Sequence, residues 1–119
     1  MAQERRQHLR IDSHNLVYLI VQDGDEIIQQ GMGRTLNVSQ AGIRLETSFV
    51  IQPGQTIWLT VGFMEDTVDI QGEMIYYHDN NTKHDYGIRF QDIDSHSQDV
   101  LNTYIRNFNQ KKTKPETDL

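Results

Sequence analysis

The chain has 119 residues, of which 36% are apolar and 24% charged, with a formal net charge of −6 and no cysteine. That length suits one domain with one modest core, and the missing cysteines exclude a disulfide framework and thiolate chemistry. An acidic balance argues against DNA or RNA as partners, because broad nucleic-acid binding needs many exposed cations to displace counterions.

The first ten residues carry Arg5, Arg6 and Arg10 with His8 among them, and they show no apolar periodicity. Residues 1–15 therefore read as a flexible arm, basic on an otherwise acidic body. That balance suits a compact anionic ligand better than a long polyanion. Met-Ala-Gln-Glu-Arg-Arg at the start lacks the apolar stretch of a secretory signal. The longest apolar run, Leu16 to Val21, is far below the ~18 residues of a membrane span. No membrane insertion and a cytoplasmic location are the expectations.

From Leu16 onward, short apolar segments alternate with turn signals, as in a sandwich or barrel. Leu16 to Gln22 reads as a strand, and Asp23-Gly24 as a hairpin turn whose residues tolerate positive φ. Ile27 to Val38 is the returning strand, with Gly31 and Gly33 expected to bend or bulge it. In Gly42 to Thr47, Ile43 and Leu45 share one face and Arg44 and Glu46 the other. Pro53-Gly54 marks the next turn. Ile57, Leu59, Val61 and Phe63 share a strand face, with Trp58 and Thr60 opposite. Val68, Ile70, Met74 and Tyr76 continue the period of two, and Tyr86, Ile88 and Phe90 repeat it. The pattern then turns helical: Val100, Leu101, Tyr104, Ile105 and Phe108 predict an amphipathic helix over about 97–109. Ser95 and Gln98 have capping-box spacing, and Asp99 suits the first turn. Residues 16–110 form the folded unit in this reading, and 111–119 a disordered tail. The expected fold is all-β, six or so antiparallel strands followed by one helix.

Two motifs carry the functional signal. Arg6 and Arg10 lie four apart just before the first strand, preceded by Arg5. Asn37-Val38-Ser39-Gln40-Ala41-Gly42 joins two strands after a hairpin. An RxxxR pair followed by (D/N)xSxxG in this order resembles the PilZ domain family. Gly42-Ile43-Arg44-Leu45 fits the strand after the second motif, and Tyr86-Gly87-Ile88-Arg89-Phe90 is similar to the family's last strand. The resemblance covers nearly the whole chain. It implies a six-stranded antiparallel barrel with one C-terminal helix, and a cytoplasmic bacterial receptor for cyclic di-GMP with no catalytic role. Arg5, Arg6, Arg10, Asn37, Ser39 and Gly42 are the ligand-binding residues it implies, with cyclic di-GMP as ligand, no cofactor and a downstream protein partner.

The residues suit that ligand chemically. An arginine fork can meet guanine O6 and N7 with two parallel hydrogen bonds, and its plane can stack on a purine. Lysine supplies charge but neither fork nor plane. Asn37 can read a base edge or hold the turn, Ser39 can bond ligand or its own backbone, and Gly42 permits positive φ or close backbone approach. Taken alone, the second motif is a plain turn, for which Asn, Ser and Gly are common. Arg5 either touches phosphate or is solvated, and Arg34 and Arg44 read as exposed strand arginines.

Other constellations stay at background. His8, His14, His78, His84 and His96 show no metal-ligand spacing, so no metal site is expected. Asp92 and Asp94 mark the approach to a helix N-terminus, and Trp58 reads as a packing residue under the terminal helix. No nucleophile elbow, Walker loop or zinc-protease signature is present, so an enzyme is not expected. Two other functions compete with the receptor. One is a PilZ-fold protein-interaction adaptor that does not bind nucleotide, against which the arginine motif argues. The other is a barrel for single-stranded nucleic acid, against which the charge argues.

Overall fold

The structure, a computed structural model, describes residues 10–80 and 83–113. Alternating apolar residues bury one face of each strand, and a closed sheet lets all of those faces share one core. The strands are β1 (Ile11–Asp12), β2 (Leu16–Asp23), β3 (Glu26–Val38), β4 (Gly42–Thr47), β5 (Thr56–Phe63), β6 (Asp66–Asn80) and β7 (Lys83–Ile93), followed by helix α1 (Ser95–Thr113). Six long strands pair antiparallel in the ring order β3-β2-β5-β6-β7-β4, and β4 closes the barrel onto β3. The short β1 pairs with Asn37 and Val38, extending the line of β2 along β3.

Val17, Leu19 and Val21 of β2, Ile43 and Leu45 of β4, and Ile57, Leu59, Val61 and Phe63 of β5 are buried with Ile70, Tyr86 and Ile88. Leu101 and Ile105 of α1 join that core, and the Tyr104 ring lies 4.5 Å from Phe63 between centroids. Tyr86 reaches across the core to the β4–β5 connection, donating to Phe49 O at 2.8 Å and accepting from Ile51 N at 2.9 Å. Burial raises the pKa of its hydroxyl. Gly24 (φ 60°) and Gly54 (φ 90°) occupy the two turns expected of them. Among the described residues no helix is long and apolar enough to cross a membrane.

Several expectations change in the folded chain. Residues 11–15 are not a loose arm: Ile11 is in the core, Ser13 is buried, and Asn15 donates to Gly62 O at 2.9 Å. Ser13 Oγ also meets Tyr104 OH at 2.6 Å, tying the root of the arm to α1. The helix is longer than 97–109, and its cap is Asp94, whose carboxylate accepts from Ser97 N at 2.7 Å. Ser95 is thus the first helical residue, and Asp99 falls beyond the first turn. The bulges of β3 are not at Gly31 or Gly33. They lie opposite Val21/Gln22 and between Thr35 and Asn37, whereas the two glycines make room for Phe49 and for β4. Trp58 faces outward, 42% exposed, instead of lying under the helix. Arg5 and Arg6 and residues 114–119 lie outside the described residues.

Candidate functional site

Arg10 stands at the start of the described chain, where β1 feeds into the barrel beside the end of β3. Pairing of Asp12 with Asn37 sets the two motifs side by side, so the local chain path, not a long reach, brings Arg10 to its partners. Its guanidinium donates to Asn37 Oδ1 at 2.5 Å and to Ser39 Oγ at 3.5 Å. Both partners are neutral, so no carboxylate among the described residues offsets the Arg10 charge. The Asn37 amide nitrogen makes no hydrogen bond among the described residues, which leaves a donor beside Arg10.

Ser39 is buried, and its hydroxyl serves its own turn. It accepts from Ala41 N at 3.2 Å and Gly42 N at 3.1 Å, and donates to Gly42 O at 3.2 Å. Ser39 N donates to Gly42 O at 2.8 Å as well, so the turn is a small closed unit. Gly42 has no positive φ. A Cβ there would lie 2.5 Å from the Ile88 carbonyl oxygen, so the glycine lets β4 approach β7. Of the two uses that glycine offers, close approach holds, and its near neighbour is protein backbone.

Arg10, Asn37, Ala41 and Gly42 edge an open cleft of about 370 Å³ on the outer wall of β4, β7 and β6. Arg44, Ile75, Tyr76, Gly87 and Arg89 line it beyond Arg10, Asn37 and the turn. By register, Gly87 lies between Arg44 on β4 and Tyr76 on β6. A Cβ at Gly87 would come within 2.5 Å of Tyr76 Cδ2, so glycine is what allows the ring to lie on the wall. Tyr76 does not continue the buried face of β6 as expected. Bulges at Gln71/Gly72 and Met74/Tyr76 shift the phase, leaving Ile75 and Tyr76 exposed.

Arg44 is more than an exposed strand arginine. Its Nε donates to both Asp85 oxygens at 2.9 and 3.0 Å, and Nη2 donates to Oδ2 at 2.5 Å. The hydrogen bonds to that carboxylate raise the Arg44 pKa above its usual value, so the group stays charged and fixed in direction. Arg89 is paired with Glu73, which stands opposite it on β6, and Gln91 donates to the same carboxylate at 3.1 Å. Arg34, in contrast, faces Glu46 at 2.9 Å and does not line the cleft. The cleft therefore presents the Arg10 cation, guanidinium planes at Arg44 and Arg89 that are each paired with a carboxylate, one aromatic ring, an aliphatic edge and an amide donor. Such a set can hold a flat, polar, anionic molecule.

Residues 4–107 match the PilZ domain. No curated protein sequence matches at a significant level. Among solved structures the chain is similar to the inhibitor of motility MotI/DgrA of Bacillus subtilis, with a TM-score of 0.72 and 18% identity. That likeness covers 90% of this chain and 53% of the other, so the chain spans about half the length of that protein. The PilZ domain of YcgR from Escherichia coli, determined with c-di-GMP, has a TM-score of 0.63 and 13% identity over 92% of this chain and 98% of that one. The PilZ domain of CeSA from a cellulose synthesizing bacterium has a TM-score of 0.60 and 13% identity over 85% and 98%. At such identities these likenesses speak for the fold.

Proposed function

The chain belongs to the PilZ domain family, and from that premise we propose that it is a receptor for cyclic di-GMP, a binding domain without catalytic chemistry. The observation that carries the proposal is the seating of Arg10 on Asn37 and Ser39, which joins the two motifs at the edge of the cleft. The E. coli neighbour, whose PilZ domain was determined with c-di-GMP, supports the same ligand.

In this reading Arg5, Arg6 and Arg10 meet the two phosphodiester charges and the guanine edges, with forks that lysine could not provide. The Asn37 amide donates to ligand, while Ser39 and Gly42 act by shaping the turn. Tyr76 offers a face for a base, an arrangement worth about 1–3 kcal/mol per stacked base. Residues 4–10 close over the ligand. Ordering them costs roughly 1–2 kcal/mol each in backbone entropy, so the contacts must exceed that sum before affinity appears. Closure creates the changed surface through which a protein partner learns that ligand is bound.

Calorimetric titration with cyclic di-GMP, cyclic di-AMP and GTP tests the reading. Cyclic di-GMP should bind far more tightly than the other two. Equal affinities would leave only charge attraction, and no heat with any of them would favour an adaptor that ignores nucleotide. Amide hydrogen exchange should show new protection at residues 4–10 on ligand addition; protection already complete without ligand would contradict closure.

A further inference from the structure

The wall formed by β3, β2 and β5 carries apolar side chains that the barrel does not use. Leu16, Tyr18 and Ile20 alternate outward along β2. Register sets Met32 of β3 opposite Tyr18, and Trp58 of β5 opposite Ile20. Leu16 is 69% exposed, Met32 52%, Trp58 42% and Tyr18 38%. Directly opposed side chains lie about 5 Å apart in a sheet, so these five make one continuous patch. Two of its rings are held in place: Tyr18 OH donates to Gln30 Oε1 at 2.9 Å, and Trp58 Nε1 donates to Gln22 Oε1 at 2.7 Å. Rings already fixed lose little freedom when something covers them, which is how aromatic anchors concentrate binding energy.

Charge surrounds the patch with one sign. Asp23, Asp25 and Glu26 of the β2–β3 hairpin are exposed at one end, and Glu65 and Asp66 of the β5–β6 hairpin at the other. Asp69 stands on β6, its carboxylate accepting from Thr60 at 2.8 Å. The sequences of β2, β3 and β5 contribute a single cation, Arg34, and Glu46 neutralises it. In the ring order β2 stands three strands from β7, so this wall faces away from the cleft.

We propose that the β3-β2-β5 wall is a docking surface for a basic, amphipathic segment of a protein partner, its apolar face on Tyr18, Met32 and Trp58 and its cations on the two acidic ends. A second copy of this chain is the poorer occupant, because a symmetric contact would bring acidic rims together. An anionic membrane would be repelled by the same rims. The surface is independent of the nucleotide reading, since it shares no residue with the cleft.

The test is selection of a random 16-residue peptide library on the immobilised chain, followed by titration of the enriched peptides. The peptides should combine Lys or Arg with aromatic or aliphatic residues. Trp58→Ser and the pair Asp25→Lys with Glu26→Lys should each weaken them by about tenfold or more, as loss of an anchor or of its charge complement does. Arg10→Ala should leave them unchanged. The charge pair lies at an exposed hairpin tip, so it reads binding without disturbing the core. The proposal is overturned if no peptide is enriched, if the peptides lack a positive bias, or if both variants bind as the parent does. A dimer in sedimentation that Trp58→Ser dissolves would overturn it in favour of a second copy.

Discussion

Replacing Gly42 with alanine adds one methyl group where β4 lies hardest against β7. The new carbon would sit 2.5 Å from the Ile88 carbonyl oxygen, whereas an ordinary carbon–oxygen contact is about 3.3 Å. The strands must therefore part by roughly 0.8 Å, more than backbone in a closed barrel yields freely. The bonds at stake are Phe90 N to Ala41 O at 2.9 Å, Ser39 N to Gly42 O at 2.8 Å and Gly42 N to Ser39 Oγ at 3.1 Å. Losing two of them costs about 1–3 kcal/mol in total, and the overpacking itself about 1–3 kcal/mol. Reduced freedom of the unfolded chain returns about 0.4–1 kcal/mol. A net loss of about 1–5 kcal/mol follows, which lowers the melting temperature of a domain this size by about 5–20 °C. Gly62→Ala is the control, because a Cβ there meets nothing within 4 Å. Thermal melts of the unliganded variants give the answer. If Gly42→Ala melts within about 2 °C of the parent and only loses ligand, the glycine serves the ligand and the steric argument fails.

Other outcomes follow from the same geometry. Arg10→Ala should remove cyclic di-GMP binding in calorimetry while leaving the melting temperature of the unliganded protein nearly unchanged, because the Arg10 bond to Asn37 is exposed, and Arg10→Lys should bind poorly because it keeps charge without the fork. Arg44→Ala should cost about 1–3 kcal/mol in denaturant unfolding by leaving the buried Asp85 carboxylate without its donors, whereas Arg34→Ala, at an exposed pair, should cost less than about 1 kcal/mol. Tyr86→Phe should cost about 1–3 kcal/mol, since Phe49 O and Ile51 N lose their shared partner. Because the folded pKa of Tyr86 is raised, the fold favours the protonated phenol. That stability is complete below the phenol's unfolded pKa and is lost as pH rises through the folded one. The alkaline decline of the parent above about pH 10 should therefore be smaller in Tyr86→Phe.

Much of the barrel is legible because the alternation of Ile43 and Leu45, and of Val68 and Ile70, with polar neighbours admits only one buried face. The terminal helix is legible from its own spacing, whereas the ring order, with β2 beside β5 and β4 beside β7, is not written in any strand's alternation. What periodicity cannot show is a change of phase. Ile75-Tyr76-Tyr77 is a run of three bulky residues that no strict alternation accommodates, and it marks the bulge that turns Tyr76 into the cleft. The β5–β6 turn carries no Gly or Pro; Met64 takes φ 59° there, so no local chemistry announces it. In the site, Asn37 and Ser39 of the motif stand beside Arg10, and of the uses the sequence left open the folded chain shows Ser39 bonding its own backbone and Gly42 allowing close approach. The Ser39 bonds are local to its turn, whereas the Gly42 contact depends on where β7 runs. The Arg44–Asp85 fork spans two strands far apart in sequence, so spacing alone could not pair them.

Amide-resolved magnetic resonance during a cyclic di-GMP titration tests the central claim most directly, because it reports binding and its location together. The shifted amides should cluster at residues 4–10, at Asn37 to Arg44, and at Tyr76, Gly87 and Arg89, with the β2 and β5 amides around Tyr18 and Trp58 left in place. A spectrum that does not change, or one whose changes fall on the β3-β2-β5 wall instead, would contradict the account.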